Sequence, residues 1–263
     1  NQYGQIDVPP LPHGMGYVQA AAGGSHSLAR RSDGEIVAWG RNDEGQCDVP
    51  ALPAGTTYVD VAAGGYHGVA LRSDGAVVAW GYDFFGQAQP PQLPAGVTCI
   101  DVSAGTHHCL ALFSDGSILA WGANGSGQCD VPPLPPGLAY VEVVGGYRHS
   151  VARRNDEVIT AFGDNSFGQC EVPPLPDGLA FVELAAAGDH TVARTGASEK
   201  PQVYCTGKTN PAGCRPSISA YGIPSASASA GFVVAASGAP NGRAGLLLYG
   251  TTGKASVPFQ GGT

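Results

Sequence analysis

A motif that returns every 41 residues constrains this chain more than any other feature. Gly-Gln pairs stand at Gly4-Gln5, Gly45-Gln46, Gly86-Gln87, Gly127-Gln128 and Gly168-Gln169. His26, His67, His108, His149 and His190 keep the same period, as do Trp39, Trp80, Trp121 and Phe162, each followed by Gly. Five copies in register point to a repeat architecture, in which one unit buries its apolar face only against the next. The punctuation agrees: 40 Gly and 21 Pro in 263 residues leave no room for long helices.

The second copy reads as four short strands. Tyr58 to Ala62 alternates and ends at Gly64-Gly65; Val69 to Arg72 ends at Asp74-Gly75, a hairpin turn; Ala76 to Trp80 is the third; Gln87 to Gln89 is the fourth, stopped by Pro90-Pro91. Four strands per 40–45 residues are the mark of a propeller blade. The chain opens with Asn1-Gln2-Tyr3-Gly4-Gln5, which matches Asn42 to Gln46, so it begins on a fourth strand. The fifth copy supplies three strands, the last at Val203-Tyr204, and then leaves the pattern. The expected fold class is all-β: a β-propeller of four-stranded blades over residues 1–207, closed by the N-terminal strand. A small β-rich module, Ser/Ala/Gly-rich, is expected over 208–263, with strands at Ser217–Tyr221, Gly231–Ala235 and Gly245–Tyr249.

The stretch YVDVAAGGYHGVALRSDGAVVAWGYDFFGQ, from Tyr58 to Gln87, resembles the regulator-of-chromosome-condensation repeat. It resembles most closely the bacterial β-lactamase-inhibitor propellers of that superfamily, which share A-A-G-x-x-H, D-G, A-W-G and G-Q-x-x-V-P elements. The resemblance implies a protein-binding propeller without catalytic machinery. Such propellers usually close with seven blades, and five copies are visible here. The tail weakly resembles C-terminal modules of secreted bacterial repeat proteins.

Charge narrows the function classes. Residues 1–195 hold 8 basic and 20 acidic side chains, a net of −12, whereas 196–263 carry +4. A nucleic-acid partner would call for a basic field on the larger part, so none is expected. No apolar run is long enough for a membrane helix, so no membrane insertion is expected. Seven Cys beside one Met and few Lys lean towards an oxidising compartment, extracellular or periplasmic.

No residue pattern points to catalysis, a metal or a cofactor. A catalytic group is needed once; a His needed in every copy serves the copy, bonding backbone groups that the Gly turn leaves unpaired. The Trp column is expected as core between blades. Cys99 and Cys109 are departures within one repeat and suggest a cross-strand disulfide; Cys205 and Cys214 bracket a turn-rich stretch and suggest another. Cys47, Cys129 and Cys170 share one phase on different repeats, too far apart to pair, and read as buried thiols.

Strand parity then separates two faces. One carries the constant D-G and L-P-x-G turns; the other carries what varies between copies. On the varied face the expected partner-binding residues are Tyr66, His107, Arg148 and Asp189 before the repeated His. With them stand Arg41, Asp43 and Glu44; Tyr82, Asp83, Phe84 and Phe85; and Asp164, Asn165 and Phe167. Varied loops on constant scaffolding suit recognition, and loop aromatics make anchors. The function expected is a secreted, non-enzymatic propeller that binds a protein partner, an inhibitor being one version. The alternative is a structural protein that self-associates head to tail, acidic propeller to basic tail.

Overall fold

A computed structural model describes residues 1–198, together with strands Gln202–Thr206, Ser217–Tyr221 and Val233–Ser237. The described residues contain strands and no helix. Each of the first four copies folds as a three-stranded antiparallel sheet: β1 (Tyr17–Ala22), β2 (His26–Arg31), β3 (Ile36–Gly40); β4 (Tyr58–Ala63), β5 (His67–Arg72), β6 (Val77–Gly81); β7 (Cys99–Ala104), β8 (His108–Phe113), β9 (Ile118–Gly122); β10 (Tyr140–Gly145), β11 (His149–Arg154), β12 (Ile159–Gly163). The fifth copy pairs β13 (Leu179–Ala187) with β14 (His190–Ala197). β15 (Gln202–Thr206), β16 (Ser217–Tyr221) and β17 (Val233–Ser237) form a separate sheet. Val203-Tyr204, expected as the third strand of the fifth copy, thus pairs with β16 instead. Strand Gly245–Tyr249 lies outside the described residues. The chain divides into two compact units, Asn1–Pro174 with Phe181–Arg194, and Leu175–Ala180 with Thr195–Thr263. The fold class is all-β and of the β-propeller type, as expected.

Among the described residues the expected fourth strands do not form. Their residues make two successive turns, because polar side chains outcompete a ladder for the backbone. Asn42 Oδ1 accepts the N–H of Cys47, and Gln46 Oε1 accepts the N–H of Glu44. Asn124 and Gln128, and Asn165 and Gln169, do the same in their copies. The opening segment, expected to complete the last blade, also forms turns and packs on the first sheet. There the Gln5 carbonyl accepts Ser27 Oγ at 2.8 Å and Trp39 Nε1 at 2.8 Å.

Successive sheets of the first unit pack face to face, and the core lies in these seams. Leu28 and Ile36 of the first sheet meet Tyr58, Val61, Ala70 and Trp80 of the second. Val69 and Leu71 meet Val102, Phe113 and Trp121; Leu110 and Leu112 meet Tyr140, Val143 and Phe162. The Trp column is interblade core at Trp80 and Trp121, as expected, while Trp39 is half-buried. Each of the large aliphatic and Phe side chains among them contributes roughly 1.5–3 kcal/mol against exposure. The Tyr at the start of a sheet also pins the Pro-rich linker, since Tyr58 Oη donates to the Pro50 carbonyl and Tyr140 Oη to that of Pro132.

The expected Cys99–Cys109 disulfide is absent; both thiols are free and buried. The register explains why. Cys99 pairs across with Phe113 and Cys109 with Ala104, so the two sit at opposite ends of one hairpin, far beyond the roughly 7 Å Cα limit for a bridge. Cys214 lies outside the described residues, and with it the expected Cys205–Cys214 bridge. Cys47, Cys129 and Cys170 are free and half-buried rather than fully buried, each thiol donating to a carbonyl six residues earlier.

Candidate functional site

The repeated histidines are the first chemistry to account for. His26, His67, His108 and His149 are at most 1% exposed. They do not bond their own Gly turns, as expected from sequence; they reach the next sheet. His108 Nε2 meets Ser150 Oγ at 2.8 Å, His149 Nε2 meets Thr191 Oγ1 at 3.0 Å, and His67 Nε2 meets Cys109 Sγ at 3.1 Å. Ser150 and Thr191 in turn donate to the carbonyls of Gln128 and Gln169. Since each hydroxyl spends its proton on that carbonyl, the imidazole is the donor and carries its proton on Nε2. Burial pushes His108 down to about 4 and His67 to about 3, so both are neutral. A Ser–His pair suggests a nucleophile, but His108 and Ser150 are both sealed from solvent, and Nδ1 of His67, His108 and His149 has no partner to orient it. They are seam bonds. At the first seam Gly68 stands where the hydroxyl should be. Neither ring nitrogen of His26 makes a hydrogen bond of good geometry, and burial lowers its pKa to about 4, only partly offset by the backbone of His67.

The same imidazoles dictate the glycines. A Cβ on Gly64 would stand 2.1 Å from His67 Cε1 and 2.6 Å from the Gly105 carbonyl; Gly23, Gly105 and Gly146 are equally crowded. The first strand of each of the first four repeats therefore ends in bare backbone, the fifth has Ala187 there, and those ends converge. Gly24 N–H donates to the Gly65 carbonyl, Gly65 to Thr106, Thr106 to Gly146, and Tyr147 to Gly188. They enclose a cavity of about 290 Å³, walled by Ala and Gly from all five copies and rimmed by Tyr66, Thr106 and Tyr147.

The two sets of varied loops lie together, as parity requires. Arg41 N–H donates to the Ser25 carbonyl, Tyr82 to Tyr66, Ala123 to His107 and Asp164 to Arg148. The D-G and Pro-rich turns are joined to each other in turn, for example Ser73 N–H to the Thr57 carbonyl. On the varied face five of the expected residues form one aromatic cluster. His107 stacks near-parallel to Tyr66 at 6.1 Å and packs on Phe85 at 5.4 Å and Tyr82 at 5.8 Å; Phe84 meets Phe85 edge to face at 5.0 Å. Phe84 is 77% exposed. Guanidinium groups flank the cluster, Arg41 over the Tyr3 and Tyr66 rings and Arg148 over Tyr147. Burial, and then the charge of Arg148, lower the pKa of His107, so the ring joins the cluster as a neutral aromatic.

The other expected residues divide. Asp43 pairs with Arg41. Asp83, Asp164 and Asn165 are spent on their own turns: Asp83 accepts from Ala88 N–H, Asp164 from Ser166, and Asn165 from Cys170 N–H. Glu44, Asp189 and Phe167 are exposed and outside the cluster. Two aromatic residues escaped sequence reasoning. Tyr3 occupies the phase of Glu44, Phe85 and Phe167, a column already read as varied; Tyr147 stands at the first open position of A-A-G-x-x-H, where three other copies have Gly, a column that the reading passed over.

A second polar group lies between the first strands. Asp60 on β4 accepts Gln19 Nε2, Val61 N–H and Val102 N–H. Beside it, Asp101 on β7 is pushed up to about 7, chiefly by burial and then by the Asp60 charge. The corresponding Gln19, Glu142 and Glu183 each have an arginine eleven residues on, Arg30, Arg153 and Arg194. Leu71 and Leu112 stand at that position for the aspartates. Among the described residues no three His, Cys, Asp or Glu side chains gather as a metal site.

The regulator of chromosome condensation (RCC1) repeat model matches residues 17–46, 58–87 and 99–128. No curated protein matches the chain. Among solved structures, Prp20p of Saccharomyces cerevisiae superposes with a TM-score of 0.60 at 21% identity, over 72% of this chain and 57% of that one. Yeast RCC1 (Prp20) bound to Kap60 gives 0.59 at 20%, over 72% and 55%. The ectodomain of the Physcomitrella patens receptor kinase CR4 gives 0.55 at 23%, over 68% and 48%. The chain thus spans about half the length of these solved chains, and at such identity the likeness concerns the fold.

Proposed function

We propose that this RCC1-repeat β-propeller is a non-catalytic binding module that holds a protein partner through the varied loop face. The carrying observation is the cluster of Tyr66, Tyr82, Phe84, Phe85 and His107, which leaves Phe84 77% exposed. Large apolar side chains left in water on one patch are a recurrent sign of a docking surface, and aromatic anchors flanked by arginine dominate interface energetics. The burial of the His108–Ser150 pair supports the non-catalytic part. The fold relatives lend general support: the work on Prp20p describes binding to Gsp1p and histones, and Prp20 was crystallised with Kap60. The proposed setting is extracellular or periplasmic, on the low Met and Lys content. The five described cysteines are unbridged, so disulfide formation gives that setting no support.

The test is affinity capture from the native extracellular fraction, followed by titration of the purified partner against wild type and a Tyr66→Ala/Phe84→Ala/Phe85→Ala variant. Anchors of this kind contribute ~2 kcal/mol each, so the triple variant should bind at least a hundredfold more weakly. Equal affinity of the two proteins would refute the face assignment.

A further inference from the structure

The seams between sheets follow one bonding rule, and the array carries an unused half of that rule at each end. We propose that these two end faces are a docking pair for a second copy of this chain: the outer face of β13–β14 in one copy receives the outer face of β1–β3 in the next.

Within a seam, the earlier sheet offers an aliphatic knob, a His donor and, on its first strand, a carboxylate or amide. The knob is Leu28, Val69, Leu110 or Val151, each 0% exposed. In the fifth copy the same position is Val192, and it is 58% exposed. His190 is exposed, where its four counterparts are buried. Asp60 and Glu142 accept the N–H of Val102 and Leu184 on the following sheet. Among the described residues Glu183 pairs only with its own Arg194, at the surface.

The later sheet of a seam offers the matching surface. Val61, Val102, Val143 and Leu184 are 2–6% exposed; in the first copy the position is Ala20, and it is exposed. Tyr17 and Trp39 are half-buried, whereas Tyr58 is 1% and Trp80 6% exposed. Ser27 Oγ donates to the Gln5 carbonyl as Ser150 does to Gln128, but among the described residues no imidazole of a preceding sheet donates to it. His190 and Ser27 are therefore donor and acceptor of one missing bond, and Val192 with Ala20, Tyr17 and Trp39 are the two sides of one missing core.

Both faces are open among the described residues of the same molecule, which is why the occupant is a second copy and not the chain's own first sheet. The contact is heterologous, so it propagates from copy to copy. It is apolar at its centre, so it persists as salt rises; association of the acidic and basic parts of the chain would instead loosen.

The experiment is sedimentation velocity on the full chain across a concentration series, at low and high salt. Wild type should show a weight-average mass that climbs with concentration at both salts. Val192→Asp and Ala20→Asp each spoil one face and should each sediment as a monomer. Mixed in equal amounts they should form a species of twice the monomer mass and nothing larger, because each keeps the face the other lacks. That complementation also shows that both variants fold. A Phe84→Ala/Phe85→Ala protein should associate like wild type, which separates this docking pair from the partner-binding patch. A wild type that stays monomeric throughout, or association that survives Val192→Asp, would overturn the proposal.

Discussion

Replacing Asp101 by Asn isolates the electrostatics of the first strands. The Asp101 carboxyl is pushed from 3.8 to about 7 by burial, then by the Asp60 charge, with Glu142 adding to it. In the unfolded chain the same group releases its proton near the ordinary carboxylate value, about 3.9. Its folded pKa is the higher one, so its stabilising effect is complete below about 4 and is lost as pH rises through 7. The gap is worth ~4 kcal/mol at 1.36 kcal/mol per unit, and screening at a half-buried pair reduces it to ~2 kcal/mol. Asn keeps the neutral, proton-donating form at every pH. Asp101→Asn should therefore be more stable than wild type by ~2 kcal/mol at pH 8, with the gain fading to nothing near pH 4. The buried histidines impose an opposite slope, since folded pKa values of about 3 to 4 for His26, His67 and His108 cost stability as pH falls below 6.5. They act equally on both proteins and cancel in the difference. The assay is urea unfolding followed by tryptophan fluorescence at several pH values. A difference that does not change with pH, or a variant less stable than wild type at pH 8, would refute this account of burial and charge.

Other outcomes follow from the seams. Ser150→Ala leaves His108 Nε2 buried without an acceptor and strips a donor from the Gln128 carbonyl; the expected loss is ~3 kcal/mol in the same unfolding assay. Gly64→Ala should cost at least ~3 kcal/mol, because its Cβ would meet both an imidazole and a backbone carbonyl. Gly96→Ala, with φ of +83° and open space around it, should cost only ~1–2 kcal/mol of left-handed strain. Burial raises Cys99 to about 11, Cys129 to about 12 and Cys109 well above its ordinary value. Iodoacetamide at neutral pH should label these three far more slowly in the folded protein than in urea, as read by mass spectrometry.

Much of this molecule could be read from its letters because the period does the averaging. Tyr58–Ala63, His67–Arg72 and Val77–Gly81 fall within a residue or two of the expected strands. The separation of varied from constant loops is seen in the bonds between Tyr82 and Tyr66 and between Ser73 and Thr57. Misreadings arose where a side chain competes with the backbone or acts at long range. Gln87 to Gln89 has strand-like spacing, yet Asp83 and Gln87 fold it into turns. Cys99 and Cys109 look coupled because they depart together, but register places them at opposite ends of a hairpin. The histidine acceptors sit in the very next column, Ser27, Gly68, Cys109, Ser150 and Thr191. Only the offset of one sheet, 42 residues, reveals that they belong to the His of the previous copy. The lost arginines at Leu71 and Leu112 were equally visible, but their meaning depends on which carboxylates the first strands bring together.

The column after the histidines has a mechanical corollary. Cys109, Ser150 and Thr191 give three of the four junctions a histidine latch, while Gly68 leaves the first without one, held by apolar contact and by the bonds of Gln19 to Asp60 and of Gly24 to Gly65. In a one-dimensional stack, rupture starts at whichever junction holds least. Fraying on heating or pulling should therefore run inward from β1–β3, with the fastest amide exchange there, so that one glycine decides the direction in which the whole stack comes apart.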